Sequence, residues 1–455
     1  MTVMPNSPQA RDIAYHVHGQ TNLKTHQEEG PLVIARGEGV YVWDDSGRRY
    51  LEGMAGLWCA SLGFSENRLA EVAYQQLKTL PYMHTFYSRG HVPSIDLAEK
   101  LIGLAPVPMS KVLFQCSGSE ANDTAIKLCW YYNNAIGRPK KKKIIGRIRG
   151  YHGTTAAAVS LSGQPHMHAD MDLPFPMFKH TDNPNWYRLA EDGETEEDFA
   201  TRMAANLEKL ILDEGPDTVA AFFAEPVQGG GGAIVPPATY FNKIQAVLKK
   251  YDVLFIADEV ICGFMRTGNY WGCQTYNLKP DMLTCAKALS ASYMPISALM
   301  ISEPIYQAMV TESEKVGVFG HGYTYSAHPV TTAVALETLK IYEERDLLGH
   351  VRRVSPHFVE SFKALEEHPL VGNVRGVGLL SGIELMKDKA TREAFDPAQK
   401  VGQLAEKKCL QHGLITRAVG DRLAFCPPLI IEEEQVDEMI SALSKALDDA
   451  LDEVG

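Results

Sequence analysis

Short apolar runs alternate with longer segments of helical periodicity through the middle of the chain. The runs are four to six residues long and rich in β-branched and aromatic side chains, which is typical of strands buried on both faces of a sheet. Strands that alternate with helices predict an α/β fold, with a mostly parallel sheet between layers of helices. The predicted strands on which the site depends lie at 111–115, 144–147, 219–224 and 253–257.

The pattern changes at both ends of the chain. Residues 37–52 alternate apolar and polar side chains about a turn at 45–47, which predicts a β-hairpin. Toward the C-terminus long helical segments flank a few short strands, which predicts a smaller α+β domain. We predict that both chain ends, residues 1–60 and 326–455, form this small domain, and that residues 61–325 form the large one. The C-terminal segments are predicted helices at 330–344, 348–366, 398–412 and from 433, and predicted strands at 371–377, 379–385, 415–417 and 423–425.

Two charged residues stand where a ligand site is expected. The run 253–257 ends in Asp258 and Glu259, and the carboxyl ends of strands form the ligand sites of open α/β sheets. Lys287 lies in Thr-Cys-Ala-Lys-Ala-Leu-Ser, where small uncharged neighbours predict poor hydration of the ammonium and a lowered pKa. Such a pair fits either a salt bridge that closes a βαβ unit or amine chemistry on a pyridine cofactor. These two residues alone do not decide between the two interpretations.

Three loops place glycine beside residues that can contact a ligand. Residues 117–119, Ser-Gly-Ser, join a predicted strand to a predicted helix, where free amides and the helix dipole can bind phosphate. A plain serine N-cap is the alternative. Tyr151 lies in a glycine-bounded loop after the strand at 144–147. Glu225 follows the strand at 219–224 and precedes a run of four glycines.

Composition limits the class of protein. The 455-residue chain has a formal net charge of −12, which argues against nucleic acid as a main partner. The N-terminus lacks the apolar core of a signal peptide, and no window is long and apolar enough to span a membrane. Eight cysteines without C-x-x-C spacing fit reduced thiols, so we expect a cytoplasmic protein. His16, His18 and His26 have no evident acidic or cysteine partner, so we predict no metal site.

The loops supply what pyridoxal phosphate requires: an amine, a carboxylate against the pyridine nitrogen, a phosphate cup and a side chain on each ring face. The sequence also resembles a family that uses this cofactor. The blocks at 257–264, 266–268 and 279–281, together with Lys287, are similar to the signature of class-III (ω-) aminotransferases, which are fold-type I pyridoxal phosphate enzymes. This resemblance implies that the mostly parallel sheet of the large domain is of the seven-stranded type. The segments at 117–121, 151–153, 225–229 and 324–329 match further blocks of that family.

The resemblance implies how the catalytic residues act. Lys287 would hold the cofactor and move a proton between a substrate carbon and a cofactor carbon. Asp258 would contact the pyridine nitrogen, and Glu225 would support the Asp258 side of the site.

The resemblance also implies the cofactor contacts and an assembly. Tyr151 and Val260 would lie on the two faces of the ring, and Gly118 and Ser119 would bind the phosphate. Thr324 of the neighbouring subunit would join them. We therefore expect a homodimer, or a dimer of dimers, with the active site at the subunit interface.

Finer similarity indicates the substrate. The segments at 54–59 and 417–421 resemble the pyruvate-dependent branch that acts on amines and ω-amino acids. By that resemblance Trp58, Phe86 and Tyr87 would line the substrate pocket. Arg417 would bind the carboxylate of pyruvate or alanine with two hydrogen bonds, for which the guanidinium geometry is suited.

Several positions separate this chain from its relatives. In the ornithine/GABA-type branch a glutamate pairs with the arginine, and Gly230 stands at the matching position here, which favours the amine:pyruvate branch. Met265 replaces a glycine usual in the family, and Ala288, Ala291 and Ser292 stand at small positions after the lysine. These changes crowd the backbone near the cofactor without removing a catalytic group, so they bear on substrate range.

We therefore expect transfer of an amino group from a primary amine or ω-amino acid to pyruvate, which gives a carbonyl compound and L-alanine. A decarboxylating transaminase, a racemase or an aminomutase would share every cofactor residue, since the cofactor supplies the electron sink in each case. A non-enzymatic anion-binding α/β protein is a third possibility. The expected partners are a small-molecule amine donor and a keto acid acceptor, with no nucleic acid and no membrane.

Overall fold

The computed structural model describes residues 4–454. No helix within that range combines the length and the apolar character needed to cross a membrane. The strands, β1 to β15 in chain order, are Ile34–Glu38, Tyr41–Asp44, Arg49–Glu52, Lys111–Gln115, Lys143–Arg147, Phe178–Thr181, Val219–Ala224, Leu254–Asp258, Met282–Cys285, Ser297–Ile301, Val371–Val377, Leu380–Leu385, Leu414–Ile415, Arg417–Ala418 and Arg422–Phe425. The α-helices, α1 to α16, are Pro8–Tyr15, Leu23–Glu29, Ala55–Trp58, Asn67–Thr79, Val92–Leu104, Gly118–Ala135, Ala156–Leu161, Trp186–Leu189, Glu196–Glu214, Tyr240–Lys250, Gly272–Thr275, Glu303–Val316, Pro329–Glu344, Leu347–Ala364, Val401–Gln411 and Glu433–Val454.

The largest sheet has seven strands in the order β4-β10-β9-β8-β7-β5-β6. The strands from β9 to β6 are parallel to their neighbours, whereas β10 runs antiparallel to both β9 and β4. Every residue of β7 is buried, which explains why its sequence is one continuous apolar run. The prediction of a mostly parallel seven-stranded sheet is confirmed.

Helices cover both faces of this sheet. Successive strand residues point to opposite faces, so Phe222 and Phe255 pack into one apolar layer and Phe223 and Ile256 into the other. Helix α10 lies in the first layer through Phe241, and α6 lies in the second through Ala125 and Ile126. The sheet is therefore inaccessible on its faces, and ligands have access to it only at the strand ends.

Two four-stranded sheets form the smaller part of the fold, in the orders β1-β2-β3-β13 and β11-β12-β15-β14. The first joins the two chain ends, because β13 pairs in parallel with β3, with Leu414 opposite Leu51. The segment predicted as one strand at 415–417 is divided between the two sheets. Thr416 lies at the division, and its Oγ1 donates to the carbonyl of Ala424 at 2.8 Å. The domain boundaries given above stay predictions.

Candidate active site

Three neighbouring strands of the large sheet deliver polar residues to the same edge. Asp258 is the last residue of β8 and lies opposite Thr284 of β9. Glu225 follows β7, and Lys287 begins a 3₁₀ helix, Lys287–Ser290, two residues after β9. Asp258 and Glu225 are 2% and 4% exposed, so this edge holds charged groups almost entirely out of water. Such burial is unfavourable unless each group has a specific partner.

The carboxylate of Asp258 is held by hydrogen bonds from three directions. The Val260 amide donates to Oδ1 at 3.0 Å, and Asn122 Nδ2 and His152 Nδ1 each donate to Oδ2 at 2.8 Å. Burial opposes the charged form of His152, but the carboxylates of Glu225 and Asp258 outweigh it and raise the pKa of His152. Thr284 Oγ1 donates to Asn122 Oδ1 at 3.0 Å and so fixes the orientation of the amide. Asp258 is thus a rigid negative charge.

Lys287 has no such partners. Burial lowers the pKa of Lys287, while Cys59 and Asp258 favour its charged form and Arg417 opposes it. Within residues 4–454 its Nζ makes no hydrogen bond or ion pair, so the salt bridge to Asp258 considered from the sequence is not formed. The backbone of Lys287 is left-handed, with φ at 50°. A non-glycine residue in this region is strained, and such strain collects at functional sites.

The Ser-Gly-Ser segment forms the start of α6. Ser117 is indeed the N-cap, because its Oγ accepts from the Glu120 amide at 3.2 Å, but capping leaves the other first-turn amides free for a ligand. Ser119 Oγ accepts from the Thr154 amide at 3.1 Å. A Cβ on Gly118 would lie 3.1 Å from both Cγ atoms of Val260, so only glycine keeps this approach open. Free amides at a helix N-terminus beside a narrow gap fit the phosphate and ring of pyridoxal phosphate.

Glu225 fixes the loop that carries Tyr151. Its Oε1 accepts from the Tyr151 amide at 2.9 Å, and its Oε2 lies 3.2 Å from Nη2 of the fully buried Arg147. Oε2 also lies 3.6 Å from His152 Nε2, which links Glu225 to the partner of Asp258. A Cβ on Gly230 would lie 2.9 Å from the Tyr151 Cβ, so the glycine loop packs directly on this residue.

Trp58 and Arg417 border the same region. Trp58 is 3% exposed, has a left-handed backbone, and lies 3.6 Å from the position a Cβ on Gly229 would take. Burial raises the pKa of Tyr151 and lowers the pKa of Lys287, and Arg417, in β14, is close enough for its charge to oppose the first shift and add to the second. Within residues 4–454 Arg417 forms no salt bridge, although the carboxylate of Glu406 lies near it: burial raises the pKa of Glu406, and the charge of Arg417 opposes that shift.

The remaining predicted site residues lie elsewhere on the chain. Phe86 and Tyr87, 37% and 83% exposed, line a cavity of about 860 Å³ together with Phe319 and Gly322, and none of the residues around Asp258 and Lys287 lines it. Thr324 is exposed beside this cavity, and its carbonyl accepts from Tyr82 Oη at 2.9 Å. Within one chain the predicted site residues therefore lie in two separate groups. One group surrounds Asp258 and Lys287, and the other consists of Phe86, Tyr87 and Thr324.

Sequence reasoning missed the residues that orient Asp258. His152 lies in the block at 151–153 and Asn122 directly follows the block at 117–121, but nothing in their spacing shows that they converge on one carboxylate oxygen. The reasoning about the N-terminal histidines also overlooked an acidic neighbour: Asp12 accepts from His16 Nδ1 at 3.2 Å and from His18 Nε2 at 2.8 Å.

Comparison with known proteins agrees with this geometry. The family model described as "Aminotransferase class-III" matches residues 23–447. The chain belongs to the class-III aminotransferase family. It is 52% identical over 420 residues, 92% of this chain and 81% of the relative, to "Gamma aminobutyrate transaminase 3, chloroplastic" of Solanum lycopersicum. The class-III assignment confirms the predicted family, the enzyme class and pyridoxal phosphate as the cofactor.

Solved transaminases have nearly the same fold as this aminotransferase. The omega transaminase from Pseudomonas jessenii in complex with PMP superposes with a TM-score of 0.97, at 51% identity over 99% of both chains. A thermostable omega transaminase variant, W58M/F86L/R417L, engineered for asymmetric synthesis of enantiopure bulky amines, gives 0.97 at 50% identity over 99% of this chain and 100% of its own. A transaminase with L-ala gives 0.92 at 55% identity over 93% and 100%.

Proposed function

We propose that this class-III aminotransferase transfers an amino group from a primary amine or ω-amino acid to pyruvate, which yields a carbonyl compound and L-alanine. The observation that carries the proposal is Arg417, which lies beside Tyr151 and Lys287 and forms no salt bridge within residues 4–454. A guanidinium in this position suits the carboxylate of a keto acid through two parallel hydrogen bonds. Gly230 leaves the arginine without the glutamate that pairs with it in the ornithine/GABA-type branch.

Pyridoxal phosphate, when bound, withdraws electrons from the substrate carbon that loses its proton. Asp258 would contact the pyridine nitrogen of the bound cofactor, and its carboxylate would favour the protonated form of that nitrogen. Lys287 would hold the cofactor through Nζ and would move the proton between the substrate carbon and the cofactor carbon. Its low hydration suits this task, because a lowered pKa leaves a larger neutral fraction of the amine.

The other residues hold the cofactor in place. Gly118 and Ser119 would offer first-turn amides and a hydroxyl to the phosphate. Tyr151 and Val260 would contact the two ring faces, and Glu225 fixes the Tyr151 loop by accepting from the Tyr151 amide. His152 lies between the two groups: it donates to Asp258 through Nδ1 at 2.8 Å, and its Nε2 faces the Glu225 carboxylate at 3.6 Å, so the two carboxylates are coupled through one buried imidazole.

Three comparisons support the substrate class. The engineered neighbour has Trp, Phe and Arg replaced at positions 58, 86 and 417, and Trp58, Phe86 and Arg417 of this chain have the same types and numbers. Those changes belong to a protein engineered for bulky amines, which supports a role of the three residues in contacting the amine. The neighbour with L-ala supports alanine as the amino acid product. The tomato relative supports a terminal amino acid as one donor.

We also propose a homodimer with shared active sites, either alone or paired into a dimer of dimers. Phe86, Tyr87 and Thr324 form a group that is exposed and separate from Lys287 in one chain. If a second copy covered this surface, Phe86 and Tyr87 of the first copy would reach the substrate pocket of the second. Thr324 of the first copy would reach the phosphate bound by the second. The single chain would then lack part of its site until it dimerises.

Half-reactions on the holoenzyme test the proposed function. Addition of an amine alone, from a panel of γ-aminobutyrate, β-alanine and 1-phenylethylamine, should convert the aldehyde absorbance of the cofactor to that of its amine form. Pyruvate should then restore the spectrum and give L-alanine. Restoration by 2-oxoglutarate but not by pyruvate would overturn the pyruvate proposal. Release of carbon dioxide, or racemised donor without a carbonyl product, would show one of the other pyridoxal phosphate reactions.

A further inference from the structure

A second cavity, of about 510 Å³, lies outside the active site. None of the residues proposed above to contact cofactor or substrate lines it. Three arginines and a lysine do, with one glutamate and one aspartate, and two asparagines and a glutamine complete the polar side chains of the lining. This volume lies within the range of small-molecule sites. The charged and amide residues of the lining are Arg149, Arg188, Arg422, Lys400, Glu384, Asp421, Asn183, Asn185 and Gln403.

The single buried glutamate does not neutralise the arginines. Glu384 is bound by Arg188 Nε at 2.6 Å and by Arg375 Nη1 at 2.7 Å, so both of its oxygens already have a cationic partner. Arg422 lies farther away, with Nε 3.9 Å from Glu384 Oε1. Asp421 Oδ1 accepts from the backbone amide of Gly402 at 3.0 Å. The lining has four cationic and two anionic side chains, so positive charge exceeds negative charge around the cavity.

Arg422 is the lining residue that most clearly indicates a missing hydrogen-bond acceptor. It is 6% exposed, and its buried Nε has no hydrogen-bond partner among residues 4–454. Burial lowers the pKa of Arg422 to about 10; Glu384 favours the charged form, whereas Arg149, Arg375 and Arg188 oppose it. A buried guanidinium with an unused donor is unfavourable unless an acceptor reaches it. The cavity is the space from which such an acceptor can arrive.

Neighbouring groups point to the same kind of ligand. Arg149 is accessible from solvent and has no ion-pair partner within the described range. Asn183 Oδ1 and Asn185 Oδ1 accept from the amides of Asn185 and Arg188, which leaves their Nδ2 groups as free donors. Guanidinium and amide donors around one cavity match the oxygens of a phosphate or carboxylate group.

The glycine loop separates this cavity from the active site. A Cβ on Gly230 would meet Tyr151, whereas a Cβ on Gly231 would lie 3.3 Å from the Arg149 Cβ and one on Gly232 would lie 2.9 Å from Arg422 Cδ. Arg375 also donates to the Gly232 carbonyl at 3.2 Å. The two sites therefore lie on either side of one loop, and the cavity is distinct from the phosphate cup at α6.

We propose that this cavity binds a small organic dianion, either a phosphate monoester or a dicarboxylate, through Arg149 and Arg422. Both ligand types present two negative charges on a planar or tetrahedral oxygen set, which paired guanidinium groups recognise. A dianion would neutralise most of the excess positive charge and satisfy the unused donor of Arg422.

Calorimetric titration of the holoenzyme tests the proposal, in a phosphate-free buffer of constant ionic strength. The probes are inorganic phosphate, glycerol 3-phosphate and succinate, which separate the phosphate from the dicarboxylate form. At least one probe should bind saturably with one site per chain. Arg149→Gln and Arg422→Gln should each weaken that binding by about tenfold or more, as expected for a lost charge-assisted hydrogen bond. Arg138→Gln, at a surface arginine paired with Asp252, should leave it unchanged.

Both variants should fold. Replacement of Arg149 removes no ion pair among the described residues, and when Arg422 is replaced the Glu384 carboxylate still pairs with Arg188 and Arg375. Arg422→Lys is a milder second variant and should bind with intermediate affinity. Absence of saturable binding of all three probes would overturn the proposal. So would binding that both glutamine variants retain, or binding that displaces the cofactor, as read from its absorbance, because that would place the anion at the phosphate cup.

Discussion

At the scale of single residues, Asn122 is the group on which the orientation of Asp258 depends most directly. Its Nδ2 bridges Asp258 Oδ2 at 2.8 Å and the His152 carbonyl at 2.7 Å. Asn122→Ala should lower kcat/KM by about tenfold to a hundredfold, since a hydrogen bond to a charged group contributes about 1.5–3 kcal/mol. Cofactor affinity should fall as well. Steady-state kinetics and titration of the apoenzyme with pyridoxal phosphate measure the two effects.

Thr284→Ser is the matched control for this variant. It retains the hydroxyl that orients the Asn122 amide and should keep activity close to that of the wild type. Equal losses in the two variants would show that packing around β9, and not the hydrogen bond to Asp258, limits the reaction.

Arg417 gives a second prediction at this scale. Arg417→Leu should raise the KM for pyruvate by about tenfold or more, because two charge-assisted hydrogen bonds to the carboxylate are lost. The half-reaction with 1-phenylethylamine, which has no carboxylate, should change little. Stopped-flow measurement of the two half-reactions separates them. Arg417→Lys keeps the charge without the forked geometry and should be intermediate, whereas equal slowing of both half-reactions would contradict the assigned role.

The sequence predicts the residues that end strands better than those that support them. Asp258 and Lys287 could be selected because a charge after an apolar run is conspicuous, and the structure places both at one sheet edge. Asn122 and His152 lie 136 and 106 positions from Asp258, and only the folded sheet brings them to it. Hydrogen-bond partners of this kind depend on strand order, which hydrophobic periodicity does not encode.

At the scale of elements, the segment after Lys287 carries avoidable strain. Ser292 is exposed and has a φ of 64°, a conformation that disfavours side chains with a Cβ. Ser292→Gly should stabilise the protein by about 0.5–1 kcal/mol, since relief of the strain exceeds the added entropy of the unfolded chain. Chemical denaturation of the holoenzyme measures the change.

Met265 provides the contrasting case. Its φ of 74° is equally left-handed, but its side chain is 1% exposed in the main apolar core. Met265→Gly should therefore destabilise the protein by about 2–5 kcal/mol, because the loss of buried side chain outweighs the relief of backbone strain. Stabilisation by both substitutions would mean that strain dominates at buried positions too.

Helices and strands could be predicted where a single hydrophobic pattern, either helical or extended, dominates the segment. Strand β7 and the long helices α13 and α14 follow from apolar runs and helical spacing, and their ends fall close to the predicted ones. The strand order and the antiparallel direction of β10 were not predicted, because a strand buried on both faces has the same pattern in either direction. The division at Thr416 was missed because its two strands have only two residues each and a single residue separates them, so the sequence reads as one short strand.

At the scale of the whole molecule, two buried carboxyl groups make stability depend on pH. Burial raises the pKa of both Glu52 and Glu259 to about 7. The folded protein then retains protons that the unfolded chain releases, so its stability should fall as pH rises from the ordinary carboxyl range to about 7 and level off above it. Urea denaturation of the holoenzyme at several pH values measures this. Glu259→Gln should remove the contribution of Glu259 to this decrease of stability with pH. An unchanged pH dependence in that variant would refute the raised pKa of Glu259.

Assembly gives the last prediction, which rests on the division of the site residues into two groups. Lys287→Ala removes the cofactor lysine, and Thr324→Asp places a negative charge where the partner's phosphate is proposed to bind. Each homodimer should be almost inactive. In a mixed dimer, however, the Lys287 of one copy meets the intact Thr324 of the other, so one of the two sites is complete. Random mixing makes half of the dimers mixed, and activity should recover to about a quarter of the wild-type value.

Refolding the two variants together, and comparing the activity with that of each variant refolded alone, measures this recovery. A mixture no more active than its components, at a stoichiometry that mass spectrometry shows to be mixed, would mean that each chain builds its site from its own Thr324.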